Sequence, residues 1–128
     1  MSFVYYNPNP RGKSVGDCVV RGISKLLNQD WLDTYIDLCF HGALAADMPS
    51  GNAVWSSYLM SLGYDKYHLP NMCPNCYTIK EFCEDHPHGS FLLAVGDHVV
   101  AVVDGDYYDA WDSGSESVIS YFTKDGSE

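Results

Sequence analysis

Apolar positions recur at helical spacing from Asp17 onward and give way to strand-like runs beyond Ser90. In the first helical stretch Val19, Ile23, Leu26 and Leu27 share one side, with Arg21 and Lys25 off it. Ser14 or Asp17 is placed to cap this helix, and Asn28 lies near its end. Gly22 within it costs about 1 kcal/mol relative to alanine, so it either permits close packing or is simply tolerated. A second helix starts with Asp30 as N-cap and sets Trp31, Tyr35, Leu38 and Cys39 at three-to-four spacing, running down toward Ala46. A third is predicted from Ala53 to Leu62, with Gly63 as its stop. Thr78-Ile79-Lys80-Glu81 is a capping-box pattern and opens a fourth, from Ile79 to about Asp85.

Two β-rich runs follow, Ser90 to Val95 and His98 to Val103. Val99 through Val103 has no polar residue, as expected of a central strand covered on both faces. Asp104-Gly105-Asp106 is a strong hairpin turn leading into Tyr107 to Trp111, and Val118 to Phe122 supplies a further strand. The opening Asn7 to Lys13 is turn-rich and predicted irregular, because each proline removes a donor and extends the residue before it. Lys124 to Glu128 is expected to fray. Helices first and an antiparallel sheet second describe an α+β protein, and 128 residues suffice for one domain, 1–128, with a single core.

Composition narrows the function classes. With 46% apolar and 14% aromatic residues the chain is not of the disordered class. No apolar run approaches the roughly 18 residues of a membrane span, and the N-terminus lacks the basic start and apolar middle of a signal peptide. A cytoplasmic protein without a membrane partner is therefore expected. The net charge of −10 repels a phosphate backbone, which argues against nucleic acid as a partner. That acidity serves solubility or docking on a basic partner.

Five cysteines, an odd number without a secretory signal, do not read as a disulfide framework. Cys73-Pro74-Asn75-Cys76, followed by Cys83 and then His86 or His88, has ligand types compatible with tetrahedral zinc, although Cys83 falls within the predicted fourth helix. A thioredoxin-like role is disfavoured, because no strand precedes this CxxC. Gly-rich phosphate loops and HExxH motifs are missing from the sequence. The expectation is a site with no cofactor and no metal.

The candidate chemistry lies elsewhere. Gly16-Asp17-Cys18 heads the first helix, where unpaired N–H groups favour an anionic thiolate. Gly96-Asp97-His98 opens the most apolar strand, and Asp109-Ala110-Trp111-Asp112 ends the next one. Cys18 is the candidate nucleophile, His98 the general base, and a carboxylate would hold the ring. A three-residue loop, Asp104 to Asp106, puts His98 opposite Asp112. A two-residue loop at Asp104-Gly105 puts it opposite Trp111, with Asp109 as a diagonal neighbour. Asp112 is preferred because Asp-Ser-Gly reads as a strand end, and Asp109 is the reserve.

Two stretches resemble known proteins: Asn7 to Lys13 with Gly16 to Arg21, and His98 to Asp112. They look like a group of small, mostly uncharacterised proteins carried by bacteriophages and gut bacteria. More distantly, Asp-Cys at a helix start with a later strand His and Asp is similar to papain-like and bacteriocin-processing cysteine peptidases. That resemblance implies a papain-like fold with N-terminal helices packed on a C-terminal antiparallel sheet. It also implies a Cys18–His98–Asp112 triad cleaving an amide or thioester bond of a peptide or protein, in a host cytoplasm if phage-encoded. Such peptidases place a Gln before the Cys to help form the oxyanion hole. Here Arg11, Gly12 and Lys13 stand in that region, so the Cys18 N–H with Asn9 or Lys13 would have to substitute. The alternative function is a non-catalytic acidic protein on the same scaffold, binding a basic host protein.

Overall fold

The run Ser90–Val95 turns at Gly96-Asp97 and returns as His98–Val103, with Val95 paired to His98 and Ser90 to Val103. Gly96 takes φ 65°, a left-handed value that favours glycine, and so keeps this turn to two residues. Around this hairpin the computed structural model, which describes residues 2–69 and 77–124, builds a six-stranded sheet. Its strands are β1 (Phe3–Tyr5), β2 (Tyr64–His68), β3 (Ser90–Val95), β4 (His98–Val103), β5 (Asp106–Asp109) and β6 (Ser120–Lys124), in the order β1-β5-β4-β3-β6-β2. The helices are α1 (Cys18–Leu27), α2 (Trp31–Ala45), α3 (Asn52–Ser61) and α4 (Ile79–Asp85). The protein is α+β.

Local chemistry fixes the helix limits. Asp30 caps α2 by accepting from the Leu32 N–H at 3.1 Å, and Thr78 and Glu81 form the complete capping box of α4. Asn28 ends α1 in the left-handed conformation. Gly63, at φ 93°, follows α3.

Both faces of the sheet are covered, as the apolar β4 run predicts. On one face Val19, Ile23 and Leu26 of α1 pack with Leu92, Val99 and Ala101, joined by Trp55 and Leu59 of α3. On the other, Ile79, Phe82 and Cys83 of α4 pack with Phe91, Val100 and Val102. Gly22 proves to be a packing glycine: a Cβ there would lie 2.8 Å from Leu92 Cδ1.

The sheet differs from expectation at its edges. β1 comes from the N-terminus and runs parallel to β5, and β2 comes from between the helices to pair with β6, so the sheet is neither wholly C-terminal nor wholly antiparallel. β6 begins at Ser120 rather than Val118. No helix among the described residues is long and apolar enough to cross a membrane.

Candidate functional site

Cys18 is the first residue of α1, and the first helical hydrogen bond runs from the Arg21 N–H to the Asp17 carbonyl at 2.7 Å. Cys18 thus lies in the turn whose N–H groups face outward without helical acceptors. Asp17 occupies the cap position but does not cap. Its carboxylate accepts instead from Arg21 Nη1 at 2.6 Å and Trp31 Nε1 at 2.9 Å.

His98, the first residue of β4, is brought to Cys18 because α1 packs across β4. The β4–β5 loop is Asp104-Gly105, with φ of 50° and 82° and Val103 paired to Asp106. Positive φ at both central residues is the type I′ signature that Asp-Gly favours. This two-residue loop decides the register: Tyr107 and Tyr108 pair with Val102 and Ala101, so Asp109 comes diagonal to His98.

Asp109, not Asp112, therefore holds the ring. Its Oδ2 lies 2.7 Å from His98 Nε2 and accepts from Ser113 Oγ at 2.6 Å. Its Oδ1 accepts from Arg21 Nη2 at 3.0 Å and the Ala110 N–H at 2.8 Å. Asp112 is turned away, accepting from the Tyr107 hydroxyl and the Gly114 N–H. Trp111 stacks on the imidazole, with ring centroids 5.1 Å apart and planes 28° from parallel.

Asp109 on Nε2 leaves Nδ1 for the thiol, and Cys18 and His98 interact closely enough to shift each other's pKa. Burial disfavours charge on Cys18. The His98 hydrogen bond, the Val99 N–H and the positive charges of His98 and Arg21 outweigh it and lower the thiol pKa. Burial likewise opposes charge on His98, but its hydrogen bonds to Asp109 and Cys18 and their charges push its pKa up to about 9. Burial would raise the Asp109 pKa, yet the His98 and Ser113 hydrogen bonds hold it below the ordinary carboxylate value. Thiolate and imidazolium stabilise each other and titrate as a pair.

The pair sits between two clefts. One, of about 420 Å³, is lined by Tyr5, Asn7, Val15, Asp97 and Trp111. The other, of about 430 Å³, is lined by Asn52, Trp55, Ser56, Lys66 and Ile119. Both include Cys18 and His98, so a chain laid across the site has room on either side of the sulfur. Asn9 and Lys13 do not line these clefts. The Asn9 side chain accepts from the Arg11 and Lys13 N–H groups and closes its own loop. Asn7 does line the first cleft, with Nδ2 donating to the Lys13 carbonyl at 3.3 Å.

Cys73 and Cys76 lie outside the described residues. Cys83 is buried, its thiol pushed up to about 11 mainly by desolvation. His86 Nδ1 is 2.9 Å from the Phe82 carbonyl oxygen, and the ring stacks on Phe82. No group of three metal-ligating side chains occurs among the described residues.

Arg21, Trp31, Ser113 and Asn7 were not legible as site residues. The Asp17–Arg21 spacing is an i,i+4 ion-pair signal, but that pattern usually describes a solvated helix face. No protein-family model, curated protein or solved structure matches the chain.

Proposed function

We propose that the chain is a minimal papain-like hydrolase in which Cys18 attacks the carbonyl of an amide or thioester in a peptide or protein. The observation that carries this reading is the Asp109–His98 hydrogen bond beside Cys18 at the first turn of α1, where Cys18 and His98 line the same two clefts, the thiol pKa is lowered and the imidazole pKa raised. In the first step the Cys18 thiolate forms an S–C bond and the carbonyl electrons move to oxygen. The Cys18 N–H is one donor to that oxyanion. Asn7 is the other, through the Nδ2 hydrogen not committed to Lys13.

Collapse of the intermediate breaks the bond to the leaving amine or thiol, which takes the proton from His98 Nδ1. His98 then removes a proton from water as the water attacks the acyl-enzyme. Breaking the S–C bond releases the acid and restores the thiolate–imidazolium pair. Asp109 keeps the ring oriented throughout, and Trp111 screens the His98–Asp109 pair from water.

The test is acyl-enzyme capture. Incubation with a short peptidyl thioester should add one acyl group to the Cys18 peptide, read by mass spectrometry, and Cys18→Ala should take none. Asn7→Ala should slow the acylation by about 10²–10³-fold, the range for losing one oxyanion donor. Absence of an adduct on a protein whose Cys18 still alkylates would refute the reading and leave the acidic binding protein in its place.

A further inference from the structure

The helix behind the nucleophile carries a face the catalytic reading does not use. On α2, Leu32, Ile36, Phe40 and Leu44 follow one another at four-residue spacing and are 47%, 60%, 62% and 71% exposed. They form one stripe, spanning about 18 Å at 1.5 Å per residue. Tyr35 and Met48 extend it, and six open side chains of this size amount to on the order of 600 Å², the upper end for the largest apolar patch of a typical monomer.

The stripe is continuous with the site. Tyr35 stacks on Trp31, and both line a groove of about 340 Å³ with Val15, Met48 and Pro49. Gly16 and Ser50 line this groove and also the second cleft beside Cys18.

Charge selects the occupant. No Lys or Arg occurs between Lys25 and Lys66, whereas Asp30, Asp33, Asp37, Asp47 and Asp65 do. Asp33 lies exposed beside the stripe, and Asp30 and Asp47 stand at its two ends. A second copy would bring the same acidic rim against itself, and an anionic membrane surface would be repelled.

We propose that the α2 face is a docking surface for a protein partner carrying an amphipathic helix, its apolar seam flanked by Lys or Arg, and that the groove leads from it to Cys18. The mode is helix-in-groove recognition, with the acidic rim setting orientation and on-rate. That this partner is the substrate rests on the catalytic reading above, whereas the docking does not.

The test measures binding without chemistry, in full-length Cys18→Ala protein. The probe is a fluorescein-labelled 18-residue peptide of Leu and Lys at helical spacing, followed by anisotropy. Leu/Glu and Ser/Lys peptides of the same length are the controls. The expected result is binding of the Leu/Lys peptide at least tenfold tighter than either control and weakened by salt. The double variant Ile36→Ser/Phe40→Ser, checked for fold by circular dichroism, should lose at least tenfold, and Leu44→Ser should lose less.

Equal binding of Leu/Lys and Ser/Lys peptides, or an undiminished affinity in the double variant, would overturn the proposal. So would a dimer in sedimentation that the double variant abolishes, or binding to vesicles of anionic lipid that it abolishes. Because Cys18 is absent from this assay, failure here leaves acylation untouched, and failure of acylation leaves the docking result standing.

Discussion

Arg21→Met probes the arrangement that joins the Cys18 helix to His98. Arg21 is 5% exposed and reaches two buried carboxylates at once: Asp17, which immediately precedes Cys18, and Asp109, which holds His98. Methionine keeps much of the buried volume but leaves Asp17 without its cation and Asp109 with His98 alone. Breaking a buried pair from one side costs about 3–5 kcal/mol, a large part of the roughly 5–15 kcal/mol that keeps a domain folded. At about 2.1 cal/mol/K per residue, the 128-residue chain has an unfolding entropy near 270 cal/mol/K. The expected fall in Tm at pH 7 is therefore about 11–19 °C.

Thermal unfolding followed by circular dichroism reads this directly, with urea titration as a check on the midpoint and slope. Arg21→Lys should not restore stability fully, since one ammonium cannot present the two-nitrogen fork that spans both carboxylates. A fall in Tm under about 4 °C, roughly 1 kcal/mol, would refute the claim that Arg21 ties the two elements together.

Exchanging the two aspartates separates the alternatives for the ring-holding group. The rise of the His98 pKa from 6.5 to about 9 corresponds to roughly 3 kcal/mol in favour of the imidazolium. Asp109→Asn removes its foremost favourable contribution and should slow Cys18 alkylation at pH 7 about tenfold, the gain in thiol nucleophilicity partly offsetting the lost thiolate. Asp112→Asn should leave the rate within about twofold, and the reverse order would move the triad to Asp112. Gly22→Val should destabilise by about 1–3 kcal/mol through overpacking against Leu92, and unchanged thermal stability would contradict the close helix–strand contact.

The elements legible in the sequence are those that carry their own local signals. Asp30 and the Thr78–Glu81 box announce helix starts through side chains that bond the backbone within three residues. The apolar β4 run announces burial on both faces. β1 and β2 lack such signals. β1 is three residues long, and Tyr64–His68 is an edge strand whose side chains are mostly exposed, so neither shows a core pattern.

The site was half legible for the same reason. Cys18 and His98 stand out by their places at element starts, but the choice between Asp109 and Asp112 turns on one residue of loop length. The Asp104-Gly105 turn settles that choice only once its backbone is seen. Arg21 was hidden because its burial depends on Asp109, 88 positions away in the chain.

The pH profile of Cys18 alkylation, followed peptide by peptide in the native protein and in His98→Ala, tests the central claim most directly. The lowered thiol pKa and the imidazole value near 9 predict a thiolate–imidazolium pair populated between the two. Cys18 alone should react rapidly well below the ordinary thiol pKa of about 8.5, and His98→Ala should abolish that low-pH reactivity. The buried Cys83, pushed up to about 11, should stay inert. A Cys18 that reacts no faster than an ordinary thiol, or whose profile is unchanged in His98→Ala, would contradict the nucleophile–base assignment.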